Sequence, residues 1–145
     1  MKLVVDSNIL FTFFWKNSII RTISYQSVEL FAPEYALSEI DKYSSILMKK
    51  TNHTTPEFFS LKNDLIQKIQ FVKLEEYSSL FPKTLHLTKK LSNKQCLEFI
   101  NDIDFFALSL KIDCPIWSND KNFKKQNKII VFNTKEIIEL FELLQ

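Results

Sequence analysis

The chain has 145 residues, 46% hydrophobic and 14% aromatic, with a formal charge of +2 and a pI near 8.4. That is enough apolar material for one sizeable core, and so mild a basic excess neither demands nor excludes a nucleic-acid partner. There is no glycine at all, which excludes Walker-type phosphate loops and Rossmann dinucleotide turns, because both need glycine where the backbone approaches a phosphate.

Leu3, Val4 and Val5 form a short apolar run of the kind found in strands covered on both faces, and Asp6 stops it. An aspartate there breaks strand propensity and is rarely fully buried unless paired, so it either caps a turn or sits at the sheet's edge for a chemical reason. The stretch SNILFTFFWKNSIIRTISYQ is long enough for two short helices, broken near Lys16 to Ser18, with Ser18 as N-cap. VELFAP reads as a second strand closed by Pro33. EYALSEIDKYSSILMKK predicts one continuous helix, since Tyr35, Leu37, Ile40, Tyr43 and Leu47 recur at helical spacing and lysines gather at the C-terminal end, where they suit the helix dipole. In TNHTTPEFFSLKNDLIQKI, Thr55 is expected to cap a further helix, with Pro56 at the first helical position and Glu57 in the first turn.

QFVKL at 70–74 gives a third strand, and EEYSSLFPKTLHLTKKLSNKQCLEF a helical region interrupted at Pro82. NDIDFFALSLKI predicts an amphipathic helix that must stop before Pro115. CPIWS and KIIVF follow as a fourth and a fifth strand, and TKEIIELFELLQ as a closing helix capped by Thr134. Alternation of strands with helices implies a mainly parallel sheet between helical layers, joined by right-handed crossovers. In such sheets ligands bind beyond the carboxyl ends of the strands, and Asp6 lies at one of them.

No linker or repeat divides the sequence, so residues 1–145 are expected to form one domain. No apolar stretch approaches the ~20 residues needed to cross a bilayer, and Asp6 interrupts the place a signal peptide would need, so a cytoplasmic protein is expected. Cys96 and Cys114 lack metal-ligand spacing and read as small core residues. His53 and His86 likewise show no metal spacing and read as surface residues.

Asp120 follows CPIWSN, so a second acid emerges from the carboxyl end of an apolar strand. Asp102 falls in the first turn of the helix before that strand, and Glu39 lies a turn or so into the helix after VELFAP, sharing a face with Tyr35 and Tyr43. Taken singly, Asp102 reads as a dipole-favoured helix start, Asp120 as a turn former and Glu39 as a solvated helix residue. Together, the four acids can converge on one rim of the sheet. Clustered carboxylates raise one another's pKa, and a fold tolerates them when a cation neutralises them. Hard oxygen ligands without paired His or Cys select Mg²⁺ or Mn²⁺ over zinc. A divalent ion so held makes hydroxide available near neutral pH and stabilises charge on a phosphoryl group, the apparatus of phosphodiester hydrolysis.

DSNIL at the end of the first strand, APEYALSEIDKY around Glu39, and NDIDFFALSLKIDCPIWSNDKNF near the C-terminus resemble the three signature blocks of the PIN-domain family of metal-dependent ribonucleases. The resemblance implies a three-layer α/β/α fold around a mainly parallel sheet of about five strands. It also implies that Asp6, Glu39 and Asp120 are three of the family's catalytic and metal-binding acids. The other has two candidates, Asp102 and Asp104; Asp102 satisfies the family's spacing before the last acid, while Asp104 lies about 200° further round a helix. Ser118 stands where similar proteins have Ser or Thr able to orient the first aspartate, and Asn8 matches a small polar residue two places after it. Each also has a plainer reading, as a strand-end hydroxyl bonding its own backbone and a helix cap. Asp113 replaces the glycine that often ends the preceding helix, and aspartate tolerates the left-handed conformation better than most residues.

The implied reaction is in-line attack of metal-activated water on RNA. Lys121, Lys124, Lys125 and Lys128 follow Asp120, while Lys89, Lys90 and Lys94 form a second group. Both could hold an RNA backbone or merely form solvated faces. Tyr35, Tyr43 and Trp117 could stack a base or belong to the core. The family likeness also implies an antitoxin protein that blocks the acidic pocket, and a tendency to form homodimers. Two other readings share the outline: a non-cleaving RNA-binding or assembly module, and a phosphoacceptor receiver domain. The latter is disfavoured because QFVKLEE offers no Asp after the third strand.

Overall fold

The computed structural model describes residues 1–144, excluding the side chains of the last two. Strands β1 (Lys2–Val5), β2 (Glu29–Pro33), β3 (Ile69–Val72), β4 (Ile116–Trp117) and β5 (Val131–Phe132) form one all-parallel sheet in the order β3-β2-β1-β4-β5. Alternation along the strands sends side chains to two cores. Leu3, Val5, Leu30, Ala32, Ile69 and Trp117 face one; Val4, Phe31, Ile116 and Val131 face the other. Both sides of the sheet are therefore dry, which is why the strands read as unbroken apolar runs.

On the first side pack α1 (Ser7–Phe11), α2 (Ile19–Ser24), α3 (Glu34–Lys42), α4 (Ser44–Thr51) and α5 (Thr55–Lys68), with Phe14 stacked on Phe58 at a centroid separation of 4.6 Å. Ser18 caps α2 as expected, its hydroxyl accepting the Arg21 N–H at 3.1 Å. The helix expected over 34–50 is two helices. The backbone at Tyr43 leaves helical geometry (φ −99°, ψ 11°) while its ring packs edge-on against Phe11. Main-chain bonding continues through this bend, from Tyr43 N–H to Glu39 O and from Leu47 N–H to Tyr43 O, so the helical period survives. Thr54, not Thr55, caps α5, because Glu57 then stands three residues on and completes a reciprocal capping box.

The second side carries α6 (Leu74–Tyr77), α7 (Phe81–Leu85), α8 (Asn93–Asn101) and α9 (Ile103–Ile112). Pro82 sits in the first turn of α7 rather than interrupting a helix, in keeping with its tolerance there. α9 is not a one-sided amphipathic helix: every residue from Phe105 to Ser109 is buried, wedged between the sheet and the outer helices. It ends at Asp113, which takes the left-handed conformation (φ 59°, ψ 57°). Helix α10 (Thr134–Leu144) closes the fold; Asn133, not Thr134, caps it, exchanging hydrogen bonds with Glu136 at 2.8 and 3.0 Å. Gln145, the last residue of the expected closing helix, lies outside the described residues. Cys96 and Cys114 are half-buried at the margin of the core rather than inside it. His53 is not a free surface residue either, because its Nε2 meets the Phe14 carbonyl at 2.7 Å. Among the described residues no helix is long and apolar enough to cross a membrane.

Candidate active site

Strand register builds the centre of the site. Val5 pairs with Trp117, and the Asp6 N–H continues the ladder to the Trp117 carbonyl at 3.0 Å, so Asp6 and Ser118 emerge side by side. The sheet's order reverses here, with β1 running out to β2 on one side and to β4 on the other, which opens a crevice at the strand ends. The Ser118 hydroxyl, buried to 1% exposure, donates to Asp6 Oδ2 at 2.8 Å and accepts the Asp120 N–H at 3.0 Å. Asp120 in turn accepts the Asn122 N–H on Oδ1 at 2.9 Å, fixing its carboxylate at the head of a short 3₁₀ turn. Asn119, between the two, accepts the Thr134 N–H at 2.8 Å and ties this loop to α10.

Glu39 reaches the same rim because α3 starts directly after β2, which places residue 39 in the second turn. It is half-buried, with Oε1 in a long contact of 3.4 Å from the Ser7 hydroxyl. Asp102 is not in the first turn of α9 as expected. It is the single residue between α8 and α9, with φ −111° and ψ 13°, and its carbonyl accepts the Phe105 N–H. This corner leaves its carboxylate half-buried beside the crevice instead of along a helix face.

The electrostatics report how these groups meet. Asp6 is pushed up from 3.8 to about 6, mainly by burial and also by the charge of Asp120, against the opposing pull of the Ser118 hydroxyl and the Ser7 and Asn8 amides. Asp102 is pushed up to about 7 by burial and then by Asp6, Asp120 and Glu39. The Tyr35 phenol is driven far above its ordinary value by burial and then by Asp104, Glu39, Asp102 and Asp6. Asp102 thus lies in the field of the other three acids named from the sequence, and Asp6 in that of Asp120. Among the described residues, none forms an ion pair with a lysine, arginine or histidine.

Among those residues, however, no group of three or more His, Cys, Asp or Glu side chains lies close enough to hold an ion unaided. The donor set is all oxygen and carries no compensating cation, which suits a hydrated ion of the magnesium type, bound by one or two carboxylates and retaining its waters. It does not suit a dry, fully ligated centre such as structural zinc.

Other expected residues separate. Asp104 accepts a short hydrogen bond from Tyr77 and is not among the charges that bear on Asp6 or Asp102. Asn8 is exposed at the mouth of a groove shared with Glu39 and Asn119, and only its backbone amide bears on Asp6. Trp117 is buried in the core, its indole N–H donating to Thr134 Oγ1 at 3.0 Å, and so is no stacking platform. Lys124 pairs with Glu136 across the chain, while Lys121 and Lys125 are exposed on the same turn. Sequence reasoning missed Ser7 and the pinning role of Asn119. Ser7 carries a weak signal, since a serine directly after a strand-ending aspartate starts a helix at the rim. Asn119 carries none, because its partner lies 15 residues away.

A family model described as PIN domain matches residues 4–130 of the chain. No curated protein matches it.

Proposed function

The chain belongs to the PIN-domain family, and on that premise we propose that it is a metal-dependent endoribonuclease acting through Asp6, Glu39, Asp102 and Asp120. Members of the family are generally nucleases that act on RNA and use divalent metal ions. The observation that carries the proposal is that three carboxylates from separate parts of the chain bear on Asp102 and one of them on Asp6, with no side-chain cation paired to any of the four among the described residues. So much unpaired negative charge at a sheet's switch point is costly unless a cation is the intended occupant.

One or two of these carboxylates would hold Mg²⁺ or Mn²⁺ directly and the others through its waters; when bound, the ion would supply a nucleophilic water near neutral pH and charge stabilisation at the scissile phosphate. Ser118 keeps Asp6 oriented and favours its ionised form through the 2.8 Å hydrogen bond. Asn122 holds the Asp120 carboxylate in place. Tyr35, surrounded by negative charge, keeps its hydroxyl proton and so presents a donor beside the acids.

The test is incubation of the purified protein with end-labelled RNA plus Mn²⁺ or Mg²⁺, with and without chelator, beside Asp6→Asn. Metal-dependent internal cuts that vanish with chelator and in the variant are expected. Cleavage absent under every metal condition would leave the non-cleaving RNA-binding module as the better reading.

We assign the activity to the toxin half of a toxin–antitoxin pair. The support is an exposed apolar groove of about 680 Å³ that runs up to Glu39, flanked by Trp15, Tyr43 and Ile46 at 55%, 37% and 52% exposure. An inhibitory partner laid there would cover Glu39 at the edge of the acidic site. Co-expression with the product of the adjoining gene should abolish cleavage; unchanged cleavage in the stable complex would reject the assignment.

A further inference from the structure

At the far end of α9 from Asp102 lies a cavity of about 630 Å³, floored by Leu110 and ringed by Lys83, His86, Lys89, Lys90, Lys125 and Lys128. Two lysine groups separated in the sequence meet here: one from α7 and the turn after it, the other from the loop before β5. No acid lines the cavity. Among the described residues none of its five lysines forms an ion pair, whereas Lys62 and Lys124 elsewhere are paired with Asp41 and Glu136.

The loop carrying Lys125 and Lys128 is fixed from within. Gln126, only 5% exposed, donates through Nε2 to the carbonyls of Phe123 and Ile129 at 3.0 and 2.9 Å. Its Oε1 accepts the amides of Lys128 and Ile129 at 3.0 and 2.8 Å. With every hydrogen-bonding position of the amide occupied by its own loop, the lysines are held around the cavity before any ligand arrives. The facing wall is equally settled, with the fully buried Thr84 bonded to Leu80 O and the Leu91 N–H to Thr88 O.

We propose that this cavity is a second RNA site, which grips the phosphate backbone of a single strand several nucleotides away from the phosphate held at the acids. The inference rests on the ribonuclease reading above. An acidic bowl repels a polyanion, and a chain of net charge +2 has little overall field to overcome that repulsion. A concentrated cationic cavity at the other end of α9 supplies the attraction locally. Leu110 stands eight residues along α9 from Asp102, about 12 Å at helical rise, and because α9 is interior a strand engaged at both places would pass over the outer helices, a path of several nucleotides. Five ammonium groups around an open cavity match a run of phosphates rather than one small anion, and lysines bind phosphate as point charges without reading sequence.

The experiment uses the full chain and fluorescein-labelled single-stranded RNAs of about four and about twenty nucleotides, with binding measured in chelator across a salt series and cleavage in Mn²⁺. The triple variant Lys89→Gln, Lys90→Gln, Lys128→Gln is compared with wild type and with the corresponding Lys→Arg triple, and thermal melting verifies folding. Expected for the Gln variant are at least about tenfold weaker binding of the long RNA and a log–log salt slope shallower by about 2, three contacts at about 0.7 each. Short-RNA binding and cleavage should change less than about twofold, and the Arg triple should behave as wild type. Equal losses for both lengths, no loss for either, or equal competition by duplex DNA would overturn the second site. Should the length-dependent loss appear without cleavage under any metal condition, the cavity stands and the nuclease reading falls. Normal cleavage with no length-dependent loss gives the reverse.

Discussion

Ser118 donates its hydroxyl to Asp6 at 2.8 Å while accepting the amide of Asp120 at 3.0 Å, so one buried side chain couples the acid behind β1 to the acid behind β4. Of the interactions that favour the ionised form of Asp6, this hydroxyl is the largest. Ser118→Ala removes it and leaves Asp6 more completely desolvated. The expected result is an acidic limb of the pH–rate profile displaced to higher pH, with activity partly recovered in alkaline buffer. A loss of about 1–2 kcal/mol in denaturant unfolding should accompany it. Ser118→Thr keeps the hydroxyl and should restore both. A uniform loss of activity at all pH values in Ser118→Ala would mean that the serine does not act through the titration of Asp6.

The raised acids also set how stability responds to pH. Asp6 goes from 3.8 to about 6 on folding and Asp102 to about 7, so the native state binds protons that the unfolded chain has released. Stability from these groups is therefore fully present below about pH 4 and declines as pH rises to about 7. For the buried Asp6 the full change is on the order of 3 kcal/mol; half-exposed Asp102 contributes less because solvent screens it. Glu57 and Glu136, whose pKa values fall on folding, work in the opposite direction at lower pH, so the informative quantity is a difference between proteins. Asp6→Asn should be more stable than wild type at pH 7.5 and lose that advantage by pH 4. Mg²⁺ or Mn²⁺ should raise the melting temperature of wild type at pH 7.5 and scarcely at pH 5. Equal shifts at both pH values would show that the ion binds away from these acids.

Two aspartates two residues apart are sharply divided by the structure. Asp102 occupies the corner between α8 and α9 within the field of the other acids, whereas Asp104 accepts the Tyr77 hydroxyl. Asp102→Asn should cut cleavage by about a hundredfold or more with folding intact, as expected for removal of a group that acts on the transition state. Asp104→Asn should leave cleavage within a few-fold of wild type. Tyr77→Phe, at a site 1% exposed, should cost about 1 kcal/mol of stability and no activity, read by urea unfolding beside an activity assay.

The division explains what was legible beforehand. β1 and β2 were readable because both faces of these strands are dry over most of their length, β3 from its apolar run at the sheet edge, and the two-part helix after Asp6 and the left-handed Asp113 because composition and turn chemistry are local. The bend at Tyr43 was not, because its ring packs on Phe11 from another helix, and helical periodicity passes through the bend unchanged. The cap of α5 shifted by one residue because two adjacent threonines both qualify and only the reciprocal bond to Glu57 decides. At the site, the four candidate acids were named from motif order, but their spacing could not be. How far apart carboxylates stand depends on the β1–β4 register and on the corner at Asp102, which are tertiary facts. The basic cavity was invisible for the same reason, since Lys89 and Lys128 meet only when the chain folds.

Asp113 gives a test of the joint between α9 and β4, the segment that fixes where Ser118 and Asp120 stand relative to Asp102. Its φ of 59° lies where a side chain meets steric resistance, although aspartate bears this better than most residues. The turn is closed by the Cys114 N–H on the Ser109 carbonyl at 3.2 Å and by the Ser109 hydroxyl on the Cys114 carbonyl, bonds that hold only while residue 113 stays left-handed. Asp113→Gly relieves the steric cost and loses part of the gain to the greater freedom of glycine in the unfolded chain, so stability should rise by up to about 1 kcal/mol. Asp113→Val places a β-branched residue where it is least tolerated and should cost about 2 kcal/mol. Urea midpoints should therefore rank Gly above Asp above Val, with RNA cleavage under saturating metal unchanged in the glycine variant. A glycine variant less stable than wild type would show that the aspartate side chain itself, rather than the backbone geometry, holds this turn.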